Sequence, residues 1–356
     1  MEGEIKNLIE VLVSILLSLC FCYFISSKIP RGKYRFLSLL PIFSLFTLLP
    51  LHFIYAFPTA ITAFFITWLA NFKLLLFAFD MGPLSSNPPK SLPLFITLAS
   101  LPIKITNPEK SQEHPSDQPN KSPKLPLNLA TETVILSILM GACFDYRDRI
   151  HPKIVLVLYC CMVFLMVDVL ISVANMAARA AVGLELEPPS DEPYFATSLQ
   201  DFWGRRWNLM VTNNLRHTVY IPVRSALVGL LGREGAQLVA VMATFLVSGL
   251  MHELLFYYVM RVGPTWEMTG FFVLHGACVG AEFVVKRAVP GVRRLHRAVT
   301  GPLTVGFVVA TSFWLFFPPI TKGGGDVKVI QEFKWFLDLT KGILILICEK
   351  ITRSFH

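Results

Sequence analysis

The stretch Phe245-Leu246-Val247-Ser248-Gly249-Leu250-Met251-His252-Glu253-Leu254-Leu255-Phe256 sits inside an apolar run, Leu238 to Met260, long enough to cross a bilayer. An ionisable His-Glu pair placed in hydrocarbon costs a few kcal/mol per charge, so it belongs where it faces a bundle interior or a cavity. The run predicts a transmembrane helix that carries a functional polar site. His252 is its candidate catalytic base.

Outward from that helix the same kind of run recurs. Of 356 residues, 54% are hydrophobic and only 16% charged, with a mean hydropathy of +0.57; soluble domains carry about 25% charged residues. We expect an all-α, polytopic membrane protein of about nine transmembrane helices, with residues 1–356 as a single membrane-embedded domain. The net charge of +8 does not point to nucleic acid, because the basic residues fall between apolar runs. The seven cysteines show no metal-ligand spacing, so neither a metal site nor a disulfide framework is indicated.

The expected spans are Leu8 to Ile25, Phe36 to Phe57, Ile61 to Phe79, Leu129 to Phe144, Ile154 to Ala178, Leu238 to Met260, Thr269 to Val285, Thr304 to Pro318 and Trp335 to Cys348. The first linker carries Lys28, Arg31, Lys33 and Arg35 without an acid, which places it in the cytoplasm and the N-terminus opposite. By parity the basic linker with Lys286, Arg287, Arg293, Arg294 and Arg297 falls on the cytoplasmic side too, as does the C-terminus. Residues 105–127, rich in Pro, Ser, Asn and Lys, read as a flexible cytoplasmic loop. Leu92 to Lys104 is too short to span and reads as re-entrant or interfacial.

Polar residues interrupt several spans. Lys73 reads as snorkelling to the headgroups, with a place in a substrate cavity wall as the alternative. Asp168, Ser172, Asn175 and Arg179 make one polar stripe on the fifth span; they satisfy each other within the bundle or contact substrate. On the sixth span Thr244, Ser248 and His252 share a face, with Glu253 turned about 100 degrees away. Ser248 could hold or tune the imidazole, Glu253 could assist it, and Gly249 clears space beside the ring. In a low-dielectric cavity the imidazole is uncharged and free to take a proton from an alcohol. No G-x-S-x-G elbow offers a serine nucleophile instead. His275 and Gly276-x-x-x-Gly280 mark the seventh span, where the glycines let a helix approach closely.

Residues 185–235 form a motif-bearing segment on the cytoplasmic face. The core of this segment, Ser198-Leu-Gln-Asp201-Phe-Trp203-Gly-Arg205-Arg206-Trp207-Asn208-Leu-Met-Val211, suits an amphipathic helix at the membrane surface, with aromatic rings toward acyl chains and arginines toward phosphates. This run, with Val-Ser-Gly-Leu-Met-His-Glu-Leu (247–254), Pro-Thr-Trp-Glu-Met-Thr-Gly-Phe-Phe-Val-Leu-His-Gly (264–276) and Trp68-Leu-Ala-Asn-Phe-Lys-Leu-Leu-Leu-Phe-Ala-Phe79, resembles the plant wax synthase family, a branch of the membrane-bound O-acyltransferases. The likeness covers most of the chain, least from about 105 to 180 and after about 320.

The resemblance implies acyl transfer from acyl-CoA, as co-substrate and without a cofactor, to a lipid hydroxyl in the endoplasmic reticulum membrane. It carries the catalytic pair onto His252 and Asn208, the asparagine orienting the acceptor or donating to the oxyanion. Asp201, Trp203, Arg205, Arg206, Trp207 and His275 become candidate substrate-binding residues, the arginines for CoA phosphates or anionic headgroups. Relatives have an amide where this chain has Asp191, in Ser190-Asp191-Glu192-Pro193-Tyr194-Phe195, which would bear on substrate choice. The acceptor the resemblance implies first is a long-chain fatty alcohol, then a sterol, then diacylglycerol for acetylation. A transporter or lipid-binding scaffold is the alternative of another class. The oligomeric state is not legible.

Overall fold

The computed structural model describes residues 2–85, 90–104, 128–183, 186–289, 296–335 and 338. These residues are helical apart from turns and connecting segments. Eight stretches among them are long and apolar enough to cross a membrane, from Gly3–Lys28 to Arg297–Lys322. The expected ninth span lies, except for Trp335 and Asp338, outside the described residues, as does the 105–127 loop.

Helix α1 (Glu2–Phe24) is followed by α2 (Lys33–Leu48), whose 3-10 turn Leu49–His52 ends in extended backbone at Phe53. The second span therefore stops before the expected Phe57. Helix α3 (Ala56–Ala78) starts in its place, with Pro58 in the first turn, where a missing N–H is tolerated. Glu332 accepts the free N–H groups of Ala56 and Phe57 at 2.7 and 3.0 Å and so caps this start from far along the chain. The middle of α3, Ala63–Ala70, is wound as a π-helix, an unusually long wide-turn stretch.

The short apolar piece forms α4 (Leu92–Ser100). Lys73 explains its position, and it does not snorkel to the headgroups. The ammonium is buried and donates to the carbonyls of Leu98 and Leu101 at 2.7 and 2.5 Å, satisfying the last turn of α4. Arg35 is likewise an internal fastener, donating to the carbonyls of Ile29, Phe77 and Ser27.

Helix α5 (Leu129–Tyr146) begins at Asn128, whose side chain accepts from Thr131 N–H, and α6 (Pro152–Val182) ends at Gly183 with φ 66°. After the motif segment come α7 (Leu209–Leu215), the wide turn Arg216–Tyr220, and α8 (Ile221–Met260). At 1.5 Å per residue the 40 residues of α8 would run about 60 Å, twice the hydrocarbon thickness. Gly232, at φ 68° and ψ 177°, breaks it, so His252 sits on its second half. Helices α9 (Glu267–Ala288) and α10 (Arg297–Thr311), the latter continued by the π-turn Ser312–Phe316, are followed by the short helix Pro318–Lys322 and a helical stretch over 325–335.

Apolar burial ties these elements into two clusters. One joins α1, α2, α3, α4 and α6 to Met210, Val211 and Leu215 of α7; the other joins α5 and α6 to Phe317 and Ile330. The motif segment and α8 are thereby pinned against the wide-turn part of α3.

Candidate active site

His252 is half-buried, and its Nδ1 lies 2.7 Å from the carbonyl oxygen of Ser248 one turn earlier. A carbonyl only accepts, so Nδ1 carries the hydrogen and the lone pair is left on Nε2. The ring is enclosed by three other elements: Phe272 of α9 stacks on it at 4.2 Å, Trp68 of α3 meets it edge-on at 5.1 Å, and Phe316 lies 6.1 Å away. It therefore faces protein. Trp68 and Phe316 both come from π-wound stretches, which turn side chains off the ordinary helical register and recur at functional sites.

Three residues around this ring have defined structural roles. Ser248 holds the imidazole, but through its backbone carbonyl. Glu253 is buried and turned away from the ring; its Oε1 accepts from Thr269 N–H at 3.1 Å, capping α9, whose N-cap Trp266 makes no side-chain cap. Gly249 does not clear space for the ring. A Cβ there would stand 2.8 Å from Thr269 Cα, so the glycine permits the close crossing of α8 and α9. Gly276 does the same from the facing helix, where a Cβ would meet Phe245 at 2.8 Å.

Asn208 is positioned by the segment before it. Residues 189–191 pair with 206–209: Leu209 N–H donates to Pro189 O at 2.8 Å and Asp191 N–H to Arg206 O at 2.9 Å. Asn208 then adopts φ 37°, ψ 70°, a left-handed conformation that Asn tolerates better than most residues, and caps α7 by accepting from Val211 N–H at 3.2 Å. With Oδ1 so used, Nδ2 is left as the donor. A recess of about 200 Å³ including its mouth is lined by Phe164, Val167, Asp168, Ile171, Pro189, Ser190, Trp207 and Asn208. The polar stripe of α6 holds this segment in place, instead of satisfying itself. Asp168 accepts from Ser190 Oγ at 2.5 Å, Asn175 donates to Glu187 O at 3.2 Å, and Arg179 donates to Leu186 O at 3.3 Å.

The expected surface helix over the Trp-Arg run is instead a single turn, Leu199–Asp201, and a π-turn, Phe202–Arg206, with the aromatic rings turned inward. Trp203 packs on Phe245, Phe271 and Phe272, and its Nε1–H donates to His275 Nδ1 at 2.9 Å. The other nitrogen of His275 lies 2.9 Å from Thr311 Oγ1, and the ring is fully buried, so His275 bridges three elements. Arg206 donates to Asp201 Oδ2 at 2.8 Å and to the carbonyls of Asp191 and Glu192 at 3.0 and 3.3 Å. Asp201 also accepts from Thr197 N–H. Asp201, Trp203, Arg206 and His275 thus hold this segment together, and Arg205 is the exposed cation of the pair. Asp191 lies 4.0 Å from Arg206 in the same network.

No hydrogen bond or ring contact among the described residues joins His252 to Asn208. An aromatic relay links them: Trp207 beside Asn208 meets Trp203 at 6.3 Å, Trp203 meets Phe272 at 5.7 Å, and Phe272 stacks on His252. Phe272 and Phe316 carried no signal in the sequence that would separate them from packing residues. Trp68 stood there only as part of a motif. Its indole nitrogen is buried and takes no partner, as is Asn71 Oδ1 three residues on.

Residues 186–274, which include Asn208 and His252, match the membrane bound O-acyl transferase family. The class of the molecule is thereby set as a polytopic membrane O-acyltransferase. Likeness also runs the length of the chain. A protein of Arabidopsis thaliana named as a probable long-chain-alcohol O-fatty-acyltransferase is 46% identical over 96% of this chain and 98% of its own length. The long-chain-alcohol O-fatty-acyltransferase of Simmondsia chinensis is 43% identical over 96% and 97%. An acyl-CoA–sterol O-acyltransferase of Arabidopsis thaliana is 40% identical over 90% and 92%. The chain belongs to the long-chain-alcohol O-fatty-acyltransferase, or wax synthase, family and is a multi-pass membrane enzyme of acyl transfer.

Proposed function

We propose that the protein transfers a fatty acyl group from acyl-CoA to the hydroxyl of a long-chain alcohol, making wax ester in the endoplasmic reticulum membrane. The observation that carries this reading is the imidazole of His252, enclosed by aromatic rings, with Nδ1 tied to Ser248 O and Nε2 left to act. Nε2 takes the proton of the acceptor hydroxyl as its oxygen bonds to the thioester carbon; the C–S bond breaks and the proton passes to the departing sulfur. The step forms no acyl-enzyme and uses no cofactor or metal. Asn208 orients substrate through Nδ2 from its recess, and Arg205 meets CoA phosphates at the cytoplasmic face, where residues 185–235 lie. The whole chain acts as one membrane-embedded domain.

The acceptor assignment draws support from relatives named for long-chain alcohols, which match this chain at 39% to 46%; one named for sterols matches at 40%, within that range. The surroundings Ser85-Ser86-Asn87 and Leu184-Glu185-Leu186-Glu187-Pro188 favour the sterol reading as second. Microsomes expressing the protein, given labelled palmitoyl-CoA with hexadecanol, sterol and diacylglycerol in parallel, test the choice. Wax ester as the main product is expected; sterol ester as the sole product would overturn it.

A further inference from the structure

We propose that Trp68 is a catalytic residue of this enzyme: its indole N–H donates to the thioester carbonyl of the acyl donor and holds the oxyanion that forms there. The inference rests on the acyl-transfer reading above. An acyl transfer whose base is a lone imidazole still needs a donor at the oxygen where charge develops, close to the base and already in place. Asn208 is held in a separate recess with Asp168 and Ser190, and touches no atom of His252 among the described contacts. Trp68 does reach the base: the two rings meet edge to face at 5.1 Å.

Its donor is also unspent. Trp68 is 3% exposed, and Nε1 has no hydrogen-bond partner. Buried indole N–H groups are normally paired, so a lone one on a ring packed against the base marks a place where a ligand completes the pairing. Two other donors are already committed, Trp203 Nε1 to His275 and Thr67 Oγ1 to Phe46 O, while Asn71 Oδ1, also unpaired, only accepts. The π-winding of Ala63–Ala70 sets the local register of Trp68, and the buried side of α3 around it is apolar, which keeps water from taking its hydrogen.

In the reaction the acceptor O–H gives its proton to His252 Nε2 while its oxygen bonds to the thioester carbon. The carbonyl oxygen gains the electron pair and is held by Trp68 Nε1–H. As the carbonyl re-forms, the C–S bond breaks and the sulfur leaves with its pair, taking the proton back from His252. Atoms and charge balance without a further reactant.

The test uses purified full-length enzyme in detergent with palmitoyl-CoA and hexadecanol. Trp68→Phe keeps a ring and removes the donor; benzothienylalanine at position 68, introduced as a non-standard residue, keeps the full bicyclic shape and also lacks it. Both should lower kcat by about 10²- to 10³-fold, the usual effect of losing one oxyanion donor, with both KM values unchanged. Unchanged kcat in either variant, or a loss in Trp68→Phe that benzothienylalanine restores, would overturn the proposal, because shape would then be the whole role. His252→Gln run alongside separates the two readings: activity surviving that change would remove the base itself, whatever position 68 does.

Discussion

At the scale of single residues, the site divides into one imidazole with an unused nitrogen and one without. His252 has Nδ1 bound to Ser248 O and Nε2 open, whereas His275 spends Nδ1 on Trp203 and Nε2 on Thr311. His275→Leu should therefore act through stability. It strands the buried indole N–H of Trp203 and costs about 1–3 kcal/mol, read as a lower unfolding temperature in detergent, while kcat per folded molecule and its pH profile stay as in the parent. Full stability with a collapsed kcat would instead make His275 a second base. Sequence could place both histidines on apolar helices and could single out His252 by the polar face it shares with Ser248. It could not show which nitrogen each ring had left, because that depends on partners as distant as Thr311. Glu253 shows a related limit: adjacency in sequence suggests aid to the base, but a helical step turns the carboxylate toward the Thr269 N–H at the start of α9.

At the scale of elements, the packing of α8 on α9 sets the depth and facing of His252. Gly249 and Gly276 let the two backbones approach, and neither position has room for a methyl group. Gly249→Ala puts a Cβ against Thr269 Cα, which is backbone and cannot rotate aside; overpacking of this kind costs about 1–3 kcal/mol. We expect a smaller folded fraction and displaced Phe272, with lower specific activity. Gly141→Ala in α5, where nothing lies within 4 Å, should be neutral or stabilising by up to about 1 kcal/mol. Equal behaviour of the two variants in thermal unfolding would contradict the close crossing. The G-x-x-x-G spacing made this contact legible beforehand. The wide turns at Ala63–Ala70, Phe202–Arg206 and Ser312–Phe316 were not legible, since nothing in a run such as Ala-Phe-Phe-Ile-Thr-Trp-Leu-Ala distinguishes π from α winding. That is why the Trp-Arg run read as a surface helix: its rings fit an interface by composition, and tertiary pairing with residues 189–191 turned them inward.

At the scale of the molecule, apolar run length located all eight described spans, because the bilayer leaves a helix as the one solution for such runs. What the runs could not carry was the use of the cations between and within them. Lys73 and Arg35 read as interfacial charges and are internal fasteners on carbonyl groups, since an ammonium or guanidinium satisfies a helix end as readily as a headgroup. The bundle thereby holds the motif segment and the His252 helix against α3, with the Trp68 ring on the imidazole and Asn208 in a separate recess. The most direct measurement is ester formation by purified His252→Gln enzyme, supplied with labelled palmitoyl-CoA and hexadecanol and matched to the parent for folded protein and for acyl-CoA binding. The account predicts a fall of about 10²- to 10⁴-fold in kcat with binding retained; wax ester made at the parent's rate would contradict it.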